Sequence, residues 1–154
     1  MKTTDLNFSY QGQLYVGYEF SQLPLAAALV AACQQIDQAA DVARRAVVGD
    51  ALRAIEYQTA AGEASLFAAA GYAGEVPPSV QSWMDAAGLD AQEATDSILA
   101  EAAAWLSAMQ AVRAARLKGK QLVLKADSHD VAASLALQAV TAVHACVVGV
   151  GNAA

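Results

Sequence analysis

Apolar residues recur at alternating spacings of four and three along the stretch from Asp90 to Lys125. These spacings place the apolar residues on one face of a long helix. The face carries, in order, Ile98, Ala102, Trp105, Met109, Val112 and Arg116. Asp90 and Glu93 have the spacing of a capping box, in which each side chain accepts a hydrogen bond from the other residue's amide. The pattern predicts a long central helix that begins at Asp90.

The amino-terminal segment alternates with a period of two instead. From Leu6 to Phe20 the even positions are apolar except for Gly12, and the odd positions are mostly polar. A period of two is typical of a β-strand with one buried face, and a glycine at its middle supplies the positive φ of a tight turn. We therefore predict a β-hairpin that turns at Gln11-Gly12. Its apolar face would carry Leu6, Phe8, Tyr10, Leu14, Val16, Tyr18 and Phe20.

Helical patterns with start and stop signals fill the rest of the chain. Proline at the first position favours a helix from Pro24 to about Val48, and Asp50 is a candidate cap for a second helix that reaches about Ala70. The second helix carries Leu52, Ile55, Thr59, Leu66 and Phe67. A proline- and glycine-rich loop, 71–78, then separates it from a short helix, 79–87, which ends at Gly88.

The last helix has its own cap and apolar face. Ser128 is the candidate cap, and the face would carry Val131, Leu135, Ala139, Ala142 and Cys146. Gly119, inside the long helix, is a candidate kink. Together the patterns predict a mainly α fold: an antiparallel bundle around a long central helix, preceded by an amino-terminal hairpin. We expect the hairpin to span 1–22 and an alanine-rich helical domain to span 23–154.

Composition changes the picture in two ways. Of the 154 residues, 56% are hydrophobic, but much of this is alanine, which buries a single methyl group; such thin stripes favour self-association. The net charge of −6 argues against nucleic-acid binding, since phosphate contacts need a positive surface. Five of the nine basic residues lie between Arg113 and Lys125, where the carboxyl end of the helix dipole explains them better than an anion site.

Neither apolar end of the chain has the pattern of a membrane segment. The stretch from Leu23 to Cys33 ends like a lipoprotein cleavage box, but the residues before it alternate like strands and hold two acids against one lysine. Residues 131–154 carry no charged side chain, yet they are too weakly apolar to favour insertion. We expect Cys33 and Cys146 to be free thiols in a reducing compartment, although a disulfide between them remains open.

No residue pattern predicts catalysis, a cofactor or a metal site. Ser128, His129 and Asp130 are the residue types of a hydrolase triad, but consecutive residues point in different directions. His144 and Cys146 face away from each other on a helix, and no second ligand pair accompanies them. We expect a non-enzymatic protein.

The features that remain point to protein contacts. A two-stranded hairpin is marginal in water, so its apolar face must pack either on its own helices or on another chain, and both readings stay open. Three of the five tyrosines lie in this segment. The candidate interface residues are Phe8, Tyr10, Tyr15, Val16, Tyr18 and Phe20 in the hairpin and Trp105, Met109 and Val112 in the long helix.

The run from Ala39 to Lys125 carries landmarks at which the alanine-rich pattern is interrupted. They are Tyr57, Glu63-Ala64, Phe67, the loop 71–78 with Pro77, Trp83, Gly88, Asp90-Ala91, Ile98-Leu99, the run from Ala102 to Trp105, and the ending Arg113 to Lys120. In these landmarks the run resembles an alanine-rich module of small proteins and carboxyl-terminal regions encoded in bacteriophage and prophage tail gene clusters. The hairpin lies outside the resemblance.

The resemblance implies a virion or tail-assembly role, without enzymatic activity and without catalytic residues to transfer. It implies an oligomer, for which a trimer is our first expectation, located in the virion tail and made in the host cytoplasm. Joined to the hairpin, it predicts a structural protein of the tail tip, baseplate or fibre attachment region that docks on another tail or fibre protein. Two alternatives remain: an assembly chaperone absent from the mature particle, and a small phage protein that binds a host regulator.

Overall fold

The computed structural model describes residues 1–49 and 51–150, with the backbone alone for Ala51. Two strands come first, followed by a 3-10 turn and five helices. They are β1 (Leu6–Tyr10), β2 (Gln13–Tyr18), the turn Phe20–Gln22, α1 (Leu25–Val48), α2 (Ala51–Ala69), α3 (Pro78–Ala87), α4 (Ala91–Val123) and α5 (His129–Ala145). The predicted mainly α bundle with an amino-terminal hairpin is confirmed. The predicted cap at Asp50 lies outside the described residues.

The chain forms two compact units, and the division does not follow the predicted boundary at residue 22. The hairpin unit comprises Met1–Arg44 and Met109–Val148, and the α2–α3 unit comprises Arg45–Ala108 with Gly149 and Val150. Helices α1 and α4 each contribute to both units. The hairpin is thus an integral part of a helical unit and not a separate domain.

Small side chains dominate the core of the hairpin unit. Ala28 and Ala32 of α1 lie in one buried cluster with Ala132 and Ala136 of α5, and Ile36 fills the same cluster. A methyl group at Gly119 of α4 would overlap the Cβ of Ala139, so only glycine permits this approach between α4 and α5. Helix α4 continues through Gly119 to Val123, and the glycine thus serves close packing and does not end the helix.

The buried face of α5 is not the predicted one. Helix α5 buries Ala132, Ala136, Ala139 and Val143, whereas Val131 is exposed. The prediction followed the larger side chains. The helix turns its alanines inward because small residues allow helix axes to approach closely, and the contacts then gained offset the smaller area of each side chain.

The α2–α3 unit has a smaller core. Ala64 of α2, Val80 of α3 and Ala94 of α4 are buried together, and half-buried Trp83 packs against them. The Nε1 of Trp83 donates to Ser97 Oγ over 3.3 Å. Glu63 Oε2 accepts from the amide of Ser79 over 2.9 Å. The N-cap of α3 is a proline, which has no side-chain acceptor, so Glu63 supplies one to the first turn of the helix.

Local signals at helix ends are confirmed. Asp90 Oδ1 accepts from the Glu93 amide over 2.8 Å, and Glu93 Oε2 accepts from the Asp90 amide over 3.1 Å, which is the predicted capping box. Gly88 closes α3 in the left-handed region at φ 68°. Ser128 accepts from the Val131 amide at the start of α5.

Candidate protein-interaction site

The hairpin turns in two residues, Gln11 and Gly12, at φ 49° and 79°. Positive φ at both central positions is the signature of a type I′ turn, whose twist matches that of the strands. Across this turn Tyr10 is in register with Gln13 and Phe8 with Tyr15. A two-residue turn therefore pairs even positions of β1 with odd positions of β2, and the prediction of a single face made of even positions is wrong.

The inner face of the hairpin packs on its own unit. Tyr15 is buried, and its ring stacks on Phe8 with centroids 5.2 Å apart. Leu6 and Phe20 are buried in the same cluster as the alanines of α1 and α5, and Tyr10 packs against it half-buried. Tyr15 and Phe20 thus stabilise the fold and are not exposed to a partner. The open choice between packing in cis and in trans is settled for this face, which packs in cis.

Polar contacts fix the hairpin to α1 as well. The amide of Lys2 donates to Gln35 Oε1 over 2.6 Å, and Gln35 Nε2 donates to the Lys2 carbonyl over 2.8 Å. The amide of Phe20 donates to the Thr3 carbonyl over 2.8 Å, which closes the base of the hairpin. The contacts of Lys2 therefore hold the hairpin on α1, and the bond from Phe20 to Thr3 holds the two ends of the hairpin together.

The outer face of the hairpin is exposed and partly apolar. Leu14 is 70% exposed and Val16 is 63% exposed, beside the polar side chains of Asn7 and Ser9. Gly17 adds a bulge opposite Leu6 and Asn7, beyond which Tyr18 is partly exposed, with its ring edge-on to Tyr15. We call Leu14 and Val16 the hairpin outer surface; Tyr18, in register with Leu6, lies at the edge of the inner face. Leu14, the most exposed of these side chains, was not among the predicted interface residues.

The predicted interface residues of α4 lie largely inside the protein. Val112 is fully buried with Ala40 and Val143 in the hairpin unit. Trp105 and Met109 are half-buried, so the stripe read from the sequence is the inward face of its helix. The Nε1 of Trp105 is buried without an acceptor among the described residues. Of the three, Val112 has no surface to offer a partner.

The basic end of α4 is used partly for an ion-pair cluster. Arg116 Nη1 and Lys120 Nζ lie 2.8 Å and 2.5 Å from the two carboxylate oxygens of Asp37 on α1. Partial burial raises the pKa of Asp37, but the hydrogen bonds from Lys120 and Arg116 outweigh this and hold it below its ordinary value. We predicted that the helix dipole explains the basic residues of this segment. For these two cations the dipole is not the whole explanation, because both also bind Asp37. Arg113, Lys118 and Lys125 remain exposed.

The residues considered for chemistry have structural roles. His129 Nε2 lies 2.8 Å from the Leu23 carbonyl, and its ring stands edge-on to Phe20 at 5.9 Å. Cys33 and Cys146 are both free, and burial raises the pKa of the Cys33 thiol. Within residues 1–49 and 51–150, no group of three potential metal ligands comes together. No helix in that part of the chain is long and apolar enough to cross a membrane.

A second apolar surface lies on α2. Ile55 is 60% exposed and Leu66 is 75% exposed, on the same side of the helix as the exposed Leu52. The sequence pattern places these large side chains with Phe67 on one apolar face, yet the helix turns Ala64 and Phe67 inward. We call the exposed face the α2 stripe; it consists of Leu52, Ile55, Thr59, Gly62 and Leu66.

The arrangement thus offers two apolar surfaces for protein contacts, the hairpin outer surface and the α2 stripe. The first is presented by a strand pair, and the second by a helix. No protein-family model, curated protein or solved structure matches the chain.

Proposed function

We propose that this chain is a non-enzymatic structural component of a bacteriophage tail, at the tail tip, baseplate or fibre attachment region. In this proposal it docks on a neighbouring tail protein through the hairpin outer surface and associates with copies of itself through its helices. The tail assignment rests on the resemblance of residues 39–125 to tail-cluster modules. The docking role rests on the geometry of the hairpin.

The observation that carries the proposal is a hairpin whose two faces have different surroundings. The inner face is anchored by buried Tyr15 and by the paired contacts of Lys2 with Gln35. The outer face holds Leu14 and Val16 exposed on a pre-ordered strand. A surface that is already ordered loses little conformational entropy on binding, which favours a docking role.

The strand edges support the same role. Among the described residues the sheet has two strands, so each strand has one edge without a strand neighbour. Such an edge can accept a strand of another protein through backbone hydrogen bonds, while exposed side chains such as Leu14 and Val16 provide selectivity. The partner that fits is an extended segment or sheet edge of a tail or fibre protein.

The test is incorporation into particles. A phage that lacks the gene is complemented with the wild-type chain or with the double variant Leu14→Ser, Val16→Ser, and purified particles are quantified by mass spectrometry. We expect the wild type at a fixed ratio to a tail protein and the double variant at least about tenfold lower, with unchanged circular dichroism, because both side chains are exposed. Val131→Ser, an exposed apolar change on α5, is the matched control and should incorporate normally.

Two results would contradict the proposal. Full incorporation of the double variant would remove the docking role of the hairpin outer surface. Absence of the wild-type chain from mature particles would remove the virion role and leave the assembly chaperone as the better account.

A further inference from the structure

The two units of the chain differ in charge. Residues 45–108 hold nine Asp and Glu against two Arg and no Lys, whereas residues 1–44 and 109–148 together hold six acidic and seven basic residues. The α2–α3 unit is therefore strongly acidic and the hairpin unit slightly basic. Charge of opposite sign on two parts of one chain favours contacts between unlike parts of different copies.

The α2 stripe has the form of a helix-packing seam. Its members follow one another at alternating spacings of three and four, the period of a coiled-coil contact. Thr59 Oγ1 donates to the Ile55 carbonyl over 3.0 Å, so its hydroxyl is satisfied within the helix. Apart from the neighbouring residues and the backbone of α2 itself, no atom of the described residues comes within 4 Å of the place where a Cβ of Gly62 would stand, which leaves room for a neighbouring helix to approach. Glu56, exposed next to Ile55, makes one flank of the stripe acidic, whereas Glu63 on the same flank accepts from the amide of Ser79.

The exposed face of the second half of α4 is complementary to this seam. Its exposed side carries Arg113 and Leu117, which lie one turn apart, and the exposed Lys118 stands next to Leu117. No acidic residue occurs between Ala102 and Ala126. Within the part of the chain that the structure describes, the cations of this face take no part in an ion pair, unlike Arg116 and Lys120, which bind Asp37. We call this the basic face of α4.

We propose that the α2 stripe of one copy packs on the basic face of α4 of a second copy, with Glu56 beside Arg113. This inference rests on the self-association part of the proposed function and names the surfaces that carry it. A contact between two different surfaces is heterologous, and it builds a ring if the rotation closes or a chain if it does not. Pairing of α2 with α2 instead sets two strongly acidic units side by side, and its antiparallel form puts the Glu56 and Glu63 flanks against each other.

The experiment uses two half-blocked variants of the full chain. The α2-blocked variant is Ile55→Asp, Leu66→Asp, and the α4-blocked variant is Leu117→Asp, Lys118→Glu; all four side chains are exposed, so both variants should fold with unchanged circular dichroism. Sedimentation velocity should show concentration-dependent association of the wild type and monomers for each variant alone. An equimolar mixture of the two variants should restore a 1:1 complex, because each supplies the surface that the other lacks.

Leu137→Asp, an exposed apolar change on α5, is the control and should associate as the wild type does. The association constant of the wild type should fall at least about tenfold between about 0.05 and 1 M NaCl, since salt screens exposed charges. A wild type that stays monomeric up to about 100 μM, an α4-blocked variant that still dimerises, a mixture without a complex, or an association that salt leaves unchanged would each overturn the inference. A chain that enters particles yet stays monomeric in solution would remove this inference and leave the docking role of the hairpin in place.

Discussion

The hairpin unit and the α2–α3 unit treat their large apolar side chains in opposite ways. In the hairpin unit Tyr15, Phe20 and Ile36 point inward and are covered by alanine-coated helices. In the α2–α3 unit α2 turns Ala64 inward and leaves Ile55 and Leu66 in solvent. Helices coated with alanine can pack on any of several faces, so side-chain size alone does not decide which face is buried. The hairpin unit closes its own core, whereas α2 leaves large apolar side chains exposed.

The largest expected difference between the units comes from a matched pair of isoleucines. Ile36→Ala removes a fully buried side chain from α1 and should lower the free energy of unfolding by about 2–5 kcal/mol. Ile55→Ala truncates an exposed side chain on α2 and should change it by less than about 0.5 kcal/mol. Denaturant unfolding at a protein concentration low enough to keep the chain monomeric measures both. Equal losses would mean that Ile55 is covered within its own chain, which would contradict the difference between the two units.

Two helical glycines, Gly119 and Gly62, should also respond differently in the two units. Gly119→Ala forces a methyl group into Ala139 at the approach of α4 and α5 and should destabilise the protein by about 1–3 kcal/mol. Gly62→Ala adds a methyl group in open space within α2 and should stabilise it by about 0.5–1 kcal/mol, because alanine loses less backbone entropy in a helix. Thermal unfolding of the two variants should shift in opposite directions. Shifts of the same sign would contradict the packing described for α4 and α5.

The smallest effect concerns the ion-pair cluster of the hairpin unit. Asp37→Asn removes the carboxylate that Arg116 and Lys120 bind and, since the Asp37 side chain is 34% exposed and screened by solvent, should cost only about 0.5–1 kcal/mol. The pKa of Asp37 is lower in the folded chain than its ordinary value of 3.8. Its contribution is therefore fully present above pH 3.8 and is lost as the pH falls through the lowered pKa.

The difference in unfolding free energy between wild type and Asp37→Asn, followed from pH 7 downward, checks this. Glu101→Gln, an exposed change on α4, is the control and should show no such loss. A difference that persists unchanged at the most acidic pH would show that the ion pairs are not its source.

Signals confined to a few neighbouring residues were predictable from the sequence. The capping box of Asp90 and Glu93, the cap at Ser128 and the left-handed Gly88 need only local geometry, and all three are present. The turn at Gln11-Gly12 was predictable too. Because the turn has two residues, the odd positions of β2 lie on the same face as the even positions of β1. The prediction placed Leu14 and Val16 on the inner face, whereas they lie on the outer face.

Which helix faces are buried was not predictable, because that depends on contacts between distant segments. Gly119 of α4 lets Ala139 of α5 approach closely, and the inward face of α5 holds three alanines and Val143. The pairing of Asp37 with Arg116 and Lys120 likewise joins α1 to α4 across a long stretch of sequence. A periodic pattern of apolar residues holds no information about either.

In our proposal the hairpin unit is complete in one chain, while the α2 stripe is covered only by a second copy. Hydrogen exchange measured at several protein concentrations tests it most directly. We predict that amides of α2 around Ile55 to Leu66 gain protection as the concentration rises, whereas amides of α1 around Ala28 to Ile36 keep theirs unchanged, since their core is already closed. Protection of α2 that is independent of concentration, or that rises equally in α1, would contradict the account.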